Sequence, residues 1–312
     1  GYDATGIGGG CGEKGSNITI QGHANVTADG GWYGAGIGGG SDGWNGGGDA
    51  ENIIIRGYSK VTATACNGAA IGGGSAGWGS YYGGSAKGIV ICDHATVAAR
   101  SDMGHGAAIG AAGENGTDTE AEVTIGTPGA TAETEDVHVT AIGHYGSAIG
   151  NGAKDTKVTI QGHVTIQTAS DDSNSVIGSS RGNVEVNIKD NVTIDAKDEG
   201  TSIRYEGGGS GIGGGDIRGD SNRKVVVNID GGTNGKVKIG DYIEIFGEYG
   251  AISGTEVNIG DNVLLKMLQS GWSTDAKYIN VNGAEAEVGT RDNPGAGAVS
   301  YTHLRAHETL MN

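Results

Sequence analysis

Two tryptophans stand at matching positions in neighbouring copies of a glycine-rich motif, with more aromatic residues nearby. Trp44 and Trp78 each follow the isoleucine of their motif by seven residues, from Ile37 and from Ile71. If the copies stack, the indoles lie side by side, and flat apolar rings next to polar groups suit the face of a sugar. The residues that we predict to form a glycan-binding surface are Trp44, Trp78, Tyr81, Tyr82, Trp32 and Tyr33. The competing interpretation is that the rings only cover a glycine-rich loop.

Carboxylates surround the first of these tryptophans. Calcium prefers about six to eight oxygen ligands, with carboxylates and backbone carbonyl groups mixed. Asp42, Asp49 and Glu51 stand in a glycine-rich segment that offers both kinds of oxygen, so we predict that calcium binds there. The spacing of the three residues matches neither an EF-hand loop nor a glycine–aspartate calcium repeat.

Three histidines also stand at equivalent positions. His23, His94 and His163 each follow the last isoleucine of an alternating Ile/Val motif by three residues, and the repeat between the first two carries Tyr58 there. Stacked strands lie about 4.8 Å apart, which separates His23 from His94 by roughly 10 Å. A Zn–N bond is only about 2.1 Å long, so one ion cannot join them. We interpret the three histidines as turn residues.

A polysaccharide-cleaving enzyme would need paired acids and bases. A glycoside hydrolase uses two carboxylates at a set distance, and a lyase needs a base beside a cation that neutralises its uronate substrate. The nearest candidates are Asp93 beside His94 and Asp102 near His105. No cluster of Asp with Arg returns in successive repeats, so we interpret these as solvated turn residues and assign no catalytic residue.

The motif that carries these residues returns about every 35 residues along the chain. Its isoleucine stands at positions 7, 37, 71, 109, 149, 177, 212 and 252. Each copy is followed by an alternating pair, as in Ile18 and Ile20, and then by a Val-Thr-Ala stretch, as in 26–28. A repeat of this length with variable spacing is typical of a solenoid. The alternation predicts short strands with one buried face.

Three short strands in each repeat predict an all-β chain, a three-sided parallel β-helix of about eight coils. Each strand would lie beside its copy one repeat later, so that Ile18 pairs with Ile53 and Ile37 with Ile71. Burial of an Ile or Val side chain contributes roughly 1.5–3 kcal/mol, and stacking makes that core continuous. We predict that this β-helix covers residues 1–293.

The repeats resemble the right-handed parallel β-helix family. The resemblance implies right-handed winding, which the crossover rule for parallel strands also favours. It further implies that an enzyme on this scaffold would cleave polysaccharides. The combination of Gly-Ile-Gly-Gly-Gly with Val-Thr-Ala is also similar to glycine-rich repeats of adhesin-like bacterial surface proteins. That similarity implies a secreted or cell-surface location and a place within a larger protein.

The last residues depart from the repeat. Residues 294–312 contain neither the glycine motif nor the alternating motif. The segment 298–312 resembles translated sequencing-adaptor read-through from metagenomic gene predictions. We therefore expect this tail to be non-native and leave it out of the functional interpretation.

Composition and charge exclude several classes of function. The chain has 65 glycines and two prolines, without the Gly-X-Y period of collagen. Its net charge of −17 argues against nucleic acid, whose phosphates are neutralised by Lys and Arg. We find no apolar run of about 18 residues and expect no membrane insertion. Cys11, Cys66 and Cys92 cannot form a complete set of disulfides, so we expect free thiols.

From these observations we expect an extracellular adhesin-like or stalk module whose partner is a polysaccharide or a host glycan. Two alternatives stay open: a polysaccharide lyase or glycoside hydrolase on a β-helix scaffold, and a passive spacer that binds nothing. A groove with convergent carboxylates and Arg on one sheet would favour the enzyme, whereas a flat aromatic corner would favour the binding module.

Overall fold

The structure, a computed structural model, describes residues 3–43, 46–76, 83–113, 118–170, 174–196, 210–215, 222–240, 245–247, 250–269, 278–281 and 285–290. The strands in these ranges form three parallel sheets that the chain visits in turn. The fold is a three-sided β-solenoid of about eight coils, which confirms the predicted all-β class. In the same ranges no helix has the length and apolar character needed to cross a membrane. The predicted tail, 294–312, lies outside the described residues.

Sheet 1 is built from the Ile-Gly motif and has eight short strands. In coil order they are Ile7–Gly8 (β1), Ile37–Gly38 (β4), Ile71–Gly72 (β7), Ile109–Gly110 (β10), Ile149–Gly150 (β13), Ile177–Ser179 (β16), Ser210–Gly214 (β19) and Gly250–Ser253 (β23). Every motif isoleucine pairs in register with the one in the next coil, from Ile7 with Ile37 up to Ile212 with Ile252. The predicted alignment of the motif is therefore confirmed.

The glycine after each motif isoleucine is required by the close approach of neighbouring coils. Gly38 and Gly72 have φ angles of 139° and 144°, a region that residues with a β-carbon rarely adopt. A β-carbon at Gly38 would overlap the carbonyl oxygen of Gly72, and one at Gly72 would overlap that of Gly110. Glycine thus allows direct stacking of the coils on this narrow side.

Sheet 2 has nine strands and carries the alternating Ile/Val motif. Its strands are Gly15–Ile20 (β2), Ala50–Ile55 (β5), Ala86–Ile91 (β8), Glu120–Ile125 (β11), Asp155–Ile160 (β14), Asn183–Lys189 (β17), Val225–Asp230 (β20), Glu256–Ile259 (β24) and Tyr278–Val281 (β26). Ile53 and Ile55 are fully buried, whereas Ile54 between them is half-buried. The period of two therefore sets the core face, and the predicted pairing of Ile18 with Ile53 is confirmed.

Sheet 3 has ten strands. Its first three strands carry the Val-Thr-Ala stretch or its equivalent. Its strands are Asn25–Asp29 (β3), Lys60–Ala65 (β6), Thr96–Ser101 (β9), Val137–Gly143 (β12), His163–Ser170 (β15), Asn191–Ala196 (β18), Val237–Ile239 (β21), Ile245–Gly247 (β22), Val263–Gln269 (β25) and Glu285–Thr290 (β27). The three sheets enclose one core of Ile, Val and Ala side chains. Cys11, Cys66 and Cys92 are free thiols, as predicted.

The later coils of sheet 3 pair two residues away from the motif alignment. Matching the Val-Thr stretches would place Val139 beside Val164, but Val139 pairs with Ile166 and Val137 with Val164. The paired residue stands six positions after the last isoleucine of sheet 2 in three of these coils, from Ile91 to Val97, Ile160 to Ile166 and Ile188 to Ile194, whereas the corner from Ile125 to Val139 is longer. A shift of two residues preserves the side-chain faces, so Val137, Val139, Val164 and Ile166 all stay buried.

Candidate functional site

The corner between sheet 3 and sheet 1 carries two of the predicted aromatic residues. Trp32 and Tyr33 follow β3 and precede β4, where the chain turns toward the glycine side. The exposed large hydrophobic side chains of the described residues are Tyr58, Met103 and Trp32, the last with 40% of its surface exposed. Tyr33 is half-buried. Trp32 therefore presents part of its surface to solvent at this corner.

Hydrogen bonds from neighbouring coils hold the backbone on which this indole stands. The carbonyl oxygen of Trp32 accepts a bond of 3.0 Å from the backbone N–H of Asn67 and one of 2.9 Å from the Asn67 side-chain amide. The N–H of Gly31 donates to the carbonyl oxygen of Ala4 at 2.8 Å. Because these bonds involve main-chain atoms of the turn, the turn keeps them when the indole is removed.

Beside the indole lies a groove of about 500 Å³, which we call the Trp32 groove. Three successive coils line it, with residues Asp29, Gly30, Gly31, Trp32, Ala65, Cys66, Asp102 and Met103. The N–H of Met103 donates to the carbonyl oxygen of Cys66 at 2.8 Å, which ties two of these coils together. Met103 is 55% exposed, so the groove presents both an indole and a thioether to solvent.

Two carboxylates give the Trp32 groove a negative character. Asp29 accepts a hydrogen bond of 2.7 Å from the hydroxyl group of Thr64, and Asp102 forms an ion pair with Arg100. Burial raises the pKa of the Cys66 thiol, and the charges of Asp102 and Asp29 raise it further. Both carboxylates therefore act electrostatically on a residue of the groove lining.

Aromatic rings continue along the same corner in later coils. His105 follows β9, and His144 and Tyr145 follow β12. The ring centroid of Tyr145 lies 5.6 Å from that of His105 and 4.4 Å from that of His144. These three rings form a small cluster in the turns after β9 and β12, on the same corner of the solenoid as Trp32.

A separate stack of rings stands on the corner between sheets 2 and 3. The rings of His23 and Tyr58 lie 5.2 Å apart with planes 12° from parallel, and those of Tyr58 and His94 lie 4.6 Å apart at 8°. Tyr58, which interrupts the histidine pattern in the sequence, is the middle ring of this stack. His23 and His94 lie in turns, as predicted, but His163 is the first residue of β15. Its interpretation as a turn residue is therefore wrong, because the strands of sheet 3 start earlier in the later coils.

A second groove, of about 460 Å³, lies on sheet 2 and is rich in opposite charges. Glu120 lies 2.6 Å from the ammonium nitrogen of Lys87 and 3.0 Å from that of Lys154. Hydrogen bonds from these two lysines lower the pKa of Glu120. Lys157 lies 3.9 Å from Glu185 in the next coil. Glu120 and Glu185 are thus both engaged by lysine side chains.

The three residues of the predicted calcium site are engaged in different ways. Asp42 accepts a hydrogen bond of 3.0 Å from the N–H of Gly46. Asp49 and Glu51 both lie near the ammonium group of Lys14, at 3.8 Å and 2.6 Å. Among the described residues, no three His, Cys, Asp or Glu side chains form a group that could hold a metal ion. Calcium binding stays a prediction, since a lysine cation stands beside two of the three carboxylates.

The two acid–histidine neighbours that resembled catalytic pairs serve other contacts. Asp93 has a φ angle of 65° and accepts a hydrogen bond of 3.0 Å from the N–H of Gly57, while His94 belongs to the ring stack. Asp102 pairs with Arg100, and its neighbour His105 packs against Tyr145. These contacts give no support to a catalytic role for either pair.

Four residues of the predicted aromatic surface, Trp44, Trp78, Tyr81 and Tyr82, lie outside the described residues. The Trp32 groove also contains residues that the sequence analysis did not assign to a glycan site, namely Asp29, Cys66, Asp102 and Met103. The strand register of sheet 3 is the information that identifies these residues, since Asp29 pairs with Thr64 and Ala65 with Ser101. Continuing that register past the strand ends would have placed Trp32 and Met103 in one column.

Comparisons with protein-family models, with curated proteins and with solved structures find no match to this chain. The functional argument therefore depends on the geometry of the described residues alone. Of the surfaces described above, the Trp32 groove combines an exposed indole, two carboxylates and a backbone held by adjacent coils.

Proposed function

We propose that this chain is a carbohydrate-binding module in the stalk of an extracellular or cell-surface protein, and that the Trp32 groove holds the glycan. The single observation that supports it is the exposed indole beside two carboxylates in a groove of about 500 Å³. The indole stacks on the apolar face of a sugar ring. Asp29 and Asp102 accept hydrogen bonds from sugar hydroxyl groups.

The solenoid is a suitable support for such a groove. The residues of the lining lie on or next to β3, β6 and β9, which pair in that order in sheet 3, and backbone bonds between coils hold the turns. A site whose groups are ordered before binding loses little conformational entropy when the ligand arrives. The rings of His105, His144 and Tyr145, in later turns of the same corner, offer a polymeric glycan further contacts.

The stalk part of the proposal follows from the repeat architecture. About eight coils at about 4.8 Å per coil give a rod on the order of 35–40 Å long. A solenoid of this kind extends by adding coils, because each coil contacts only its neighbours. Such a rod separates what it carries from the surface to which it is attached.

The test is a glycan array screened with the full chain, with and without calcium, beside the variant Trp32→Ala. Tyr58→Ala is the matched control, since it removes an exposed ring from the other corner. We expect the wild type and Tyr58→Ala to bind the same glycans and Trp32→Ala to lose most of that binding. Circular dichroism shows whether each variant keeps its strands.

A further variant separates the two predicted aromatic surfaces. Trp44→Ala with Trp78→Ala removes the aligned tryptophan pair and keeps every residue named in the lining of the Trp32 groove. Loss of binding in this variant alone would move the site to the tryptophan pair and overturn the assignment to the groove. An array on which the folded wild type binds nothing would reject the proposed function and favour the passive spacer.

A further inference from the structure

We propose that the Trp32 groove selects glycans that carry free ammonium groups, as oligomers of glucosamine do. This inference rests on the proposed function and adds the charge of the ligand to it. The Trp32 indole stacks on a sugar ring, and the carboxylates of Asp29 and Asp102 pair with ammonium groups on that ring or its neighbour.

The first argument is the charge of the groove. Its lining, as far as the structure describes it, contains two carboxylates and no Lys or Arg. Arg100 pairs with Asp102 and is not itself part of the lining as described. A cationic ligand therefore enters a region of negative potential, and the net charge of −17 adds attraction at long range.

The second argument is that the two carboxylates act on the same space. They belong to coils that are two steps apart, yet both charges raise the pKa of Cys66, which belongs to the coil between them. An ammonium group bound over Cys66 therefore lies within reach of both fields. The two carboxylates come from different coils, so the site exists only when the coils are stacked.

The third argument concerns the capacity of these groups to accept further bonds. A carboxylate has about four acceptor sites. The hydroxyl group of Thr64 uses one site of Asp29, and the guanidinium of Arg100 engages Asp102. Acceptor sites for an ammonium group thus remain on Asp29 beyond the bond from Thr64, and the Arg100 pair is solvent-exposed and open to exchange.

The indole adds selectivity for a cation as well as for a sugar. A cation within about 6 Å of the centre of an indole ring is attracted by its π electrons. Trp32 is 40% exposed and stands in the same groove as both carboxylates. Neutral sugars gain the stacking contact and hydroxyl hydrogen bonds without an attraction between charges, whereas uronates are repelled by Asp29 and Asp102. The groove therefore binds cationic glycans more tightly than neutral ones, and neutral glycans more tightly than acidic ones.

The test is isothermal titration of the full chain with three probes of equal length and linkage: a glucosamine oligomer, its N-acetylated form, and the corresponding glucose oligomer. A buffer near about pH 6 keeps the amino groups of the oligomer largely protonated. We expect the glucosamine oligomer to bind at least about fivefold more tightly than the other two, which is what an exposed pair of about 1 kcal/mol supplies. The difference should shrink in high salt.

Isosteric variants assign this preference to the groove. Asp29→Asn and Asp102→Asn each remove a charge and keep an oxygen that accepts the bond from Thr64 or Arg100. Each is expected to weaken binding of the glucosamine oligomer about two- to fivefold and to weaken binding of the uncharged N-acetylated oligomer less. Arg100→Gln, which removes the competing cation, is expected to strengthen binding of the glucosamine oligomer.

The control is Glu122→Gln, which removes an exposed charge from sheet 2, away from the groove. If it weakens binding as much as Asp29→Asn does, the attraction belongs to the whole chain and the inference is wrong. Equal affinity for charged and neutral oligomers, both lost in Trp32→Ala, would also overturn the inference and leave the proposed function standing. If the chain binds none of the three probes and no glycan on the array, both this inference and the proposed function are wrong.

Discussion

The side-chain amide of Asn67 donates a 2.9 Å hydrogen bond to the carbonyl oxygen of Trp32, one coil away. The backbone N–H of Asn67 donates to the same oxygen at 3.0 Å. Asn67 thus holds the turn that carries the indole through two hydrogen bonds. The order of the Trp32 groove depends on this contact between coils.

Asn67→Ala removes the side-chain bond and keeps the backbone bond. We expect a loss of about 0.5–1.5 kcal/mol in the free energy of unfolding, together with weaker glycan binding because the turn becomes less ordered. Urea denaturation and titration calorimetry measure the two effects. Asn187→Ala, which breaks a 2.8 Å bond with Asn228 on sheet 2, should lower stability alone. An unchanged glycan affinity in Asn67→Ala would contradict the role of this bond in the groove.

Gly72→Ala should strongly destabilise the solenoid. Its φ angle of 144° is strained for alanine, and the added β-carbon would overlap the carbonyl oxygen of Gly110. We expect the free energy of unfolding to fall by roughly 3–5 kcal/mol, as for other steric clashes at special backbone positions. Gly22→Ala is the control, because its φ of 72° is also left-handed but open space surrounds the site. That variant should lose only about 1–2 kcal/mol, and equal losses would show that stacking does not require the motif glycine.

Glu135→Gln should destabilise the corner between sheets 2 and 3. The Glu135 side chain is buried and accepts hydrogen bonds from the backbone N–H groups of Thr127 at 3.0 Å, His163 at 3.2 Å and Asp93 at 3.3 Å. The amide variant turns one acceptor into a donor that faces N–H groups, at an expected loss of about 1.5–3 kcal/mol. Thermal melting measures the change against Glu133→Gln, an exposed neighbour. Equal melting temperatures of the two variants would show that the hydrogen bonds to Glu135 do not contribute to stability.

The three thiols should differ in their reactivity toward iodoacetamide. Burial, with a further contribution from Asp93, raises the pKa of the Cys92 thiol to about 11, and the reactive species is the thiolate. Cys11 is exposed, so we expect it to be modified first near about pH 8 and Cys92 last. Mass spectrometry of peptides over time gives the order. Faster modification of Cys92 than of Cys11 in the folded chain would contradict this environment.

The same shift has a consequence for stability at alkaline pH. The folded state holds the Cys92 proton more tightly than the unfolded state, whose thiol titrates near 9.0. The stabilisation is therefore complete below that pH and is lost as the pH rises through about 11. Cys92→Ser should reduce the alkaline loss of stability relative to wild type, as measured by denaturant unfolding at several pH values. Parallel pH profiles would show that the thiol does not contribute.

Much of the fold was predictable because its information is local and repeated. The eight motif isoleucines pair in the predicted order, since a strand with a period of two and a glycine that permits close stacking leave one arrangement for each side. The register of sheet 3 is less evident from the sequence. Val139 pairs with Ile166 and not with Val164, so matching the Val-Thr letters alone does not give the register of its later coils.

The candidate site was predictable only in part. Trp32 was recognised from its type and position, but the groove beside it needs Asp29, Cys66 and Asp102 from three coils. Likewise, Tyr58 appeared to break a histidine pattern until stacking placed its ring between His23 and His94. Residues about 35 positions apart become neighbours only when coils are paired, so chemistry shared between coils is hidden from any single repeat.

The sequence by itself determined the coil: its three strands, their buried faces and the need for glycine on the narrow side, because each depends on neighbours within a few residues or on exact repetition. Only the tertiary structure decided which outward-facing side chains meet. An indole, a thiol and two carboxylates share the Trp32 groove because parallel stacking at about 4.8 Å brings equivalent turns into contact. No residue pattern within one coil specifies that meeting.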